Sequence, residues 1–166
     1  MSLPAPAGGY ALEPGAGEAV WFNGGRIVLK ATGEQTGGSL TMLEVHARKG
    51  FAALLHIHRR EDEIFVVLAG DVRVQHGDDV FDAIPGSMIF GPRGVAHSFH
   101  VDSAEARLML IFGPSGVEGF FREGGKPARE SGLPPVDEVF LDRQALMEVG
   151  ARYKQEFVGP PLAPRA

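Results

Sequence analysis

The sequence predicts an all-β fold in which short antiparallel strands form one barrel or sandwich domain. Glycine and proline account for 23 and 12 of the 166 residues, and both interrupt helix interiors. Hydrophobic residues make up 44% of the chain, which is enough apolar material for a core. Short β-prone runs recur at close spacing with turn residues between them, and this pattern favours an antiparallel arrangement over a parallel α/β fold.

Changes in composition divide the chain into three segments. Residues 1–18 are rich in Ala, Pro and Gly and are predicted to form a loose N-terminal arm. Residues 19–114 are predicted to form the β-barrel domain, with a hairpin turn at Asn23-Gly24-Gly25 and a polar loop at 32–38. The predicted strands are residues 20–22, 26–30, 40–47, 52–58, 63–68, 72–75, 80–81, 88–90, 97–101 and 107–112.

Residues 115–166 are predicted to form a helical tail that packs on the barrel or on a partner subunit. A short helix is expected at 117–122, with Ser115 as its N-cap, because Glu118 follows at the spacing of a capping box. A second helix is expected at 143–153, with Asp142 as its N-cap.

Cysteine content and charge exclude several classes of function. The chain has no cysteine, so it cannot form a disulfide or an iron–sulfur cluster, and nitrogen and oxygen atoms must hold any metal. The net charge of -5 argues against a nucleic acid partner. No apolar run approaches the length of a membrane span, so we expect no membrane partner and a soluble cytoplasmic protein.

Three histidines and one glutamate give the strongest functional signal. His56 and His58 are two residues apart in a predicted strand, so their side chains share one face. A polar turn follows, and the returning strand would bring Glu63 beside both imidazoles. His97 begins another predicted strand. A single strand histidine is more often a surface residue, but four such side chains that converge inside a barrel would form a divalent metal site.

At these residues the chain resembles the cupin family. The first cupin motif is G-x5-H-x-H-x(3,4)-E-x6-G, and the matching residues are Gly50, His56, His58, Glu63 and Gly70. The second motif is G-x5-P-x-G-x2-H-x3-N, and the matching residues are Gly86, Pro92, Gly94 and His97, with Val101 in place of asparagine.

This resemblance implies the cupin barrel, a jelly roll also described as a double-stranded β-helix. It also implies that one divalent transition metal is bound by the side chains of His56, His58, Glu63 and His97. The ligand set does not identify the metal, since iron, nickel, manganese, cobalt, copper and zinc are all compatible with it.

Side chains with the same parity as the ligands predict an apolar pocket. The strand residues with this parity are Leu54, Phe65, Val67 and Phe99. Phe120, with Phe121, would close one mouth of the barrel or anchor the helix to it. We therefore expect a small apolar or aromatic substrate, because a sugar phosphate would need inward Arg or Lys side chains. The alternative is that Leu54 and Val67 only fill the barrel core.

Further segments resemble small single-domain cupins grouped with quercetin dioxygenases; they are residues 68–71, 91–97, 112–121 and 125–128. The resemblance implies dioxygen-dependent cleavage of a flavonol or similar enol, in which Glu63 would be both metal ligand and catalytic base. Two alternatives stay open. One is a metal-dependent isomerase, lyase or hydrolase acting on a small carbonyl compound. The other is a non-catalytic module that binds a metal or a small ligand.

Residues outside the motifs give two further expectations. His46, His76 and His100 are expected at the surface, with His76 in an exposed turn and His100 facing away from the site. An apolar outer face is expected opposite Glu63, formed by Ile64, Val66 and Leu68. Such a face needs cover, so we expect a homodimer.

Overall fold

The computed structural model describes residues 8–165 and is built mainly of β-strands. In the barrel region the elements are β1 (Glu18–Phe22), β2 (Gly25–Ala31), α1 (Gly33–Thr36), β3 (Thr41–Arg48), β4 (Leu55–His58), β5 (Asp62–Ala69), β6 (Val72–His76), β7 (Asp79–Ala83), β8 (Met88–Gly91), β9 (His97–Val101) and β10 (Glu105–Gly113). The tail contains α2 (Glu118–Gly124), β11 (Lys126–Pro127), α3 (Arg143–Arg152) and β12 (Gln155–Gly159).

The described strands form two antiparallel sheets that enclose one apolar core, and the all-β jelly-roll prediction is confirmed. The seven-stranded sheet has the order β11-β1-β2-β3-β10-β5-β8, and the five-stranded sheet has the order β12-β4-β9-β6-β7. Side chains alternate between the core and the outer face along each strand. In β3, for example, Leu43, Val45 and Ala47 are buried, whereas Met42 and Glu44 are only partly buried.

The N-terminal region combines a predicted hairpin with a short helix that was not predicted. Asn23 and Gly24 have φ angles of 48° and 93° and form the turn between β1 and β2. Part of the region predicted as a loop is α1, whose capping box joins Thr32 and Gln35. Residues 1–7 of the predicted arm lie outside the described residues. The rest of the arm up to residue 17 forms no helix or strand.

The two tail helices differ in how well their starts were predicted. The N-cap of α3 is confirmed, since the Asp142 carboxylate accepts a hydrogen bond of 2.9 Å from the backbone N–H of Ala145. The prediction that Ser115 is the N-cap of α2 is wrong. Helix α2 begins at Glu118, and Ser115 forms no cap. The Glu118 carboxylate instead accepts hydrogen bonds from the backbone N–H groups of Gly33 and Gly116, each at 2.8 Å. Among the described residues, no helix has the length and apolar character that a membrane crossing requires.

The tail is not purely helical, because it also supplies two edge strands. β11 pairs with β1, and β12 pairs with β4, the strand that carries His56 and His58. The inward residues of β12 are Gln155 and Phe157, so the strand lacks the apolar alternation that would predict it from sequence. It forms because the exposed edge of β4 offers unpaired backbone groups.

Candidate metal centre

The four side chains singled out in the sequence lie together inside the barrel. His56 and His58 extend from β4, Glu63 extends from β5 and His97 extends from β9. Strands β4 and β9 pair at His56 and His97, so these two rings are neighbours across the sheet. One ligand atom from each side chain lies within 4.8 Å of all the others. This cluster could hold a metal ion.

Short contacts between nitrogen and oxygen atoms define the cluster. The Nε2 atom of His97 lies 2.8 Å from Oε2 of Glu63, and Nε2 of His58 lies 3.4 Å from the same oxygen. The Nε2 atoms of His56 and His58 are 3.2 Å apart. The exposed fraction is between 1% and 9% for all four residues, so bulk water cannot satisfy their polar atoms.

Hydrogen bonds on the far side of two rings determine which nitrogen carries the proton. Nδ1 of His56 lies 2.6 Å from the Leu54 carbonyl, and Nδ1 of His97 lies 3.0 Å from the Val95 carbonyl. Because a carbonyl can only accept, each Nδ1 must donate, and in a neutral ring Nε2 then presents a lone pair. A lone pair that faces the Glu63 carboxylate is repelled unless a cation lies between them. The donor set therefore fits a divalent metal ion.

A buried carboxylate at an unspecified position of the first motif lies behind His58. Glu61 is 2% exposed, and its Oε2 atom is 3.6 Å from Nδ1 of His58. Neither atom has a hydrogen-bond partner among the described residues. Carboxylates in this position orient ligand histidines, so Glu61 lies where it can direct Nε2 of His58 toward the cluster. Glu61 was not predicted as a site residue, because its polar tetrapeptide is typical of a solvent-exposed turn.

Burial and mutual charge interactions set the protonation states of the cluster when no metal is bound. Burial, together with the nearby His97 and His58, lowers the pKa of His56 to about 3. Burial acts to lower the pKa of His58, but the adjacent carboxylates of Glu61 and Glu63 outweigh it and raise this pKa to about 9. Burial acts to raise the pKa of Glu63, yet the adjacent rings of His58 and His97 lower it to about 2. Near neutral pH, Glu63 is therefore negatively charged and His58 is positively charged.

An apolar cavity of about 70 Å³ reaches the cluster. Eight of the 11 phenylalanines line it; they are Phe22, Phe51, Phe65, Phe99, Phe112, Phe120, Phe121 and Phe157. The predicted pocket residues Leu54, Phe65, Phe99 and Phe120 are among the lining residues. Val67 packs in the hydrophobic core and is not among them. Phe120 and Phe121 both reach the cavity from α2.

The C-terminal tail supplies a wall of the cavity that sequence analysis missed. Leu146 of α3 lines the cavity together with Gln155 and Phe157 of β12. The ring of Phe157 lies 5.9 Å from the ring of His56, measured between centroids. No local signal could have placed these residues, because their position depends on the pairing of β12 with β4.

Two of the three other histidines were predicted at the surface but are buried or half-buried in the structure. His100 does face away from the metal-ligand cluster, but it is buried, because it contacts Asp102 at 2.8 Å beside the Arg73–Asp102 ion pair. His76 is half-buried at the end of β6, where its ring stacks 6.2 Å from that of His97. His46 is partly exposed and contacts Glu105.

Comparison with known proteins identifies the class. Residues 43–112 match the family model of the cupin domain, and this range contains all four cluster residues. The barrel topology agrees with solved cupin structures. One is an RmlC-like cupin from Shewanella frigidimarina (TM-score 0.54, 17% identity, 61% of this chain and 87% of that chain). Another is oxalate decarboxylase from Bacillus subtilis (TM-score 0.55, 20% identity, 66% of this chain and 31% of that chain). The protein therefore has the cupin fold, and residues 43–112 match the cupin domain.

Within this class the chain resembles quercetinase-like proteins. It is 26% identical over 150 residues to quercetin 2,3-dioxygenase of Bacillus subtilis, covering 90% of this chain and 44% of that protein. It is 33% identical over 54 residues to an uncharacterized protein of Streptomyces coelicolor, covering 32% of this chain and 51% of that protein. The chain thus spans about half the length of these curated relatives.

Proposed function

We propose that the protein is a metal-dependent dioxygenase that acts on an aromatic or enol substrate. The observation that carries this proposal is that a buried cluster of three histidines and one glutamate meets a cavity lined by phenylalanines. An apolar cavity with polar groups at one end binds a flat apolar molecule and orients its polar end. The similarity to quercetin 2,3-dioxygenase supports the same class of reaction.

In the proposed reaction the protein contributes a base and a dry pocket. A divalent transition metal held by His56, His58, Glu63 and His97 would supply Lewis-acid activation of a substrate oxygen. Glu63 is the proposed catalytic base, since it is ionised at neutral pH and can accept the proton of a substrate hydroxyl. The phenylalanine walls keep water from the activated substrate. Both atoms of dioxygen enter the organic product, so no separate reductant is needed.

The test is an activity screen of protein purified without a histidine tag, after its metal has been identified by elemental analysis. Oxygen uptake is measured with aromatic enols, and small carbonyl compounds are tested without oxygen. We expect uptake of one dioxygen per enol consumed, and loss of this uptake in His97→Ala. Conversion of a carbonyl compound without oxygen would favour an isomerase or lyase instead. Ligand binding with no turnover in either screen would favour a non-catalytic binding protein. Either of these two outcomes, turnover without oxygen or binding without turnover, contradicts the proposal.

We also propose that the protein forms a homodimer through the outer face of the seven-stranded sheet. Ile64 and Val66 are only partly buried there, and they pair with Phe90 and Met88 of the edge strand β8. The exposed fractions of Met88 and Phe90 are 61% and 53%. Exposed apolar side chains that adjoin one another mark interaction surfaces. Light scattering should give twice the chain mass for the wild type and the chain mass for Phe90→Lys; a monomeric wild type contradicts the proposal.

A further inference from the structure

We propose that Gln155 determines ligand specificity, by hydrogen bonding to a second oxygen of the ligand beside the oxygen that faces the metal centre. The inference rests on the proposed binding of an aromatic or enol compound to this centre. It does not require that the bound compound react with dioxygen.

Gln155 lies beside the cluster. It is the first residue of β12 and pairs directly with His58, so the two side chains extend from the same face of the sheet. Both residues line the cavity. Gln155 thus lies at the metal end of the cavity, next to the cluster.

The Gln155 amide is buried at the wall of the cavity. The residue is 4% exposed, and it lines the cavity from β12. A buried amide without a partner is costly. A ligand or water in the cavity can remove this cost, because the amide both donates and accepts.

Gln155 contrasts in polarity with the rest of the cavity wall. Apart from the metal-ligand side chains, Gln155 and Asn23 are the polar lining residues. Asn23 lies in the exposed turn between β1 and β2, so it is at the solvent side. Gln155 is therefore the polar side chain available deep in an otherwise apolar cavity.

Together these observations define the ligand class. The ligand has a flat apolar body for the phenylalanine walls and two oxygens at one end, one for the metal centre and one for Gln155. A site built to hydrogen bond one hydroxyl discriminates against the analogue that lacks it. Gln155 lies outside residues 43–112, which match the family model. The tail therefore adds this specificity to the barrel.

The test compares catechol, which has two adjacent hydroxyls, with phenol, which has one. Dissociation constants are measured by calorimetry with Zn²⁺-loaded protein, because zinc has no redox chemistry and keeps the probes intact. We expect the wild type to bind catechol about tenfold more tightly than phenol, as one hydrogen bond predicts. In Gln155→Leu, catechol affinity should fall to that of phenol while phenol affinity stays unchanged.

The matched control is Gln144→Leu, which makes the same chemical change on the exposed side of α3 and should leave both affinities unchanged. Zinc content and thermal midpoint are recorded for each protein. If Gln155→Leu does not fold, Gln155→Met keeps the length of the side chain and takes its place. A wild type without preference for catechol overturns the inference, as does a variant that retains the preference. Since no turnover is needed, failure of the dioxygenase proposal would appear separately, as absent oxygen uptake.

Discussion

Nε2 of His97 lies 2.8 Å from Oε2 of Glu63, although the two residues are 34 positions apart in the chain. His97 belongs to the five-stranded sheet and Glu63 to the seven-stranded sheet, so this contact joins the two sheets inside the barrel. The other nitrogen of His97 donates to a carbonyl. A proton or a metal ion must therefore separate the lone pair on Nε2 from the Glu63 carboxylate.

Removal of one imidazole should empty the metal centre. We expect His56→Ala and His97→Ala each to lose most of the bound metal, because three donors remain and one side of the ion is left to water. Elemental analysis of the purified variants measures this loss. His46→Ala is the control, since His46 lies outside the cluster. Wild-type metal content in both cluster variants would contradict the assignment of the site.

Glu63→Gln should reduce turnover more than it reduces metal content. The amide keeps the shape of the side chain and one oxygen donor but loses the charge and the basicity. The loss of a general base lowers the rate by about a hundredfold or more. The measurement is the turnover rate per bound metal ion, with the exposed Glu34→Gln as the control. Unchanged turnover per metal ion would exclude Glu63 as the catalytic base.

Glu61 should act on the metal through His58. In Glu61→Ala we expect metal affinity to fall about tenfold or more, because the carboxylate behind Nδ1 of His58 is lost. Competition with a chelator measures the affinity, and the visible absorption of Co²⁺-loaded protein reports a change in ligand geometry. Glu61→Gln retains an acceptor oxygen and should recover part of the affinity. If the Co²⁺ spectrum and the affinity of Glu61→Ala match the wild type, Glu61 has no positioning role.

The Asp62–Arg93 pair should give a pH-dependent contribution to stability. Side-chain and backbone hydrogen bonds from Arg93 lower the pKa of Asp62 from 3.8 to about 2. A lowered folded-state pKa stabilises the protein above the unfolded value of 3.8, and this contribution is lost as the pH falls through about 2. The free energy of unfolding of the wild type should thus exceed that of Arg93→Ala at about pH 5, and the difference should shrink toward about pH 2. A difference that does not change with pH would contradict this account.

The all-β class and the four cluster residues could be predicted from the sequence, because both predictions depend on short-range patterns. The alternation of strand residues places His56 and His58 on one face whatever the rest of the chain does. The start of α3 could also be predicted from a local pattern. The Asp142 carboxylate caps the helix by accepting a hydrogen bond from the backbone N–H of Ala145, three residues further along the chain. Turn glycines such as Gly70 and Gly94 have positive φ angles of 77° and 82°, as their residue type favours.

The residues that complete the site from distant parts of the chain could not be predicted without the fold. Gln155 reaches the cavity because β12 pairs with β4, and no periodicity within residues 155–159 indicates this pairing. Glu61 resembles an exposed turn residue until the fold buries it behind His58. His100 likewise becomes buried through its contacts with Arg73 and Asp102. In each case the position depends on packing between segments far apart in the chain, which a local sequence pattern does not encode.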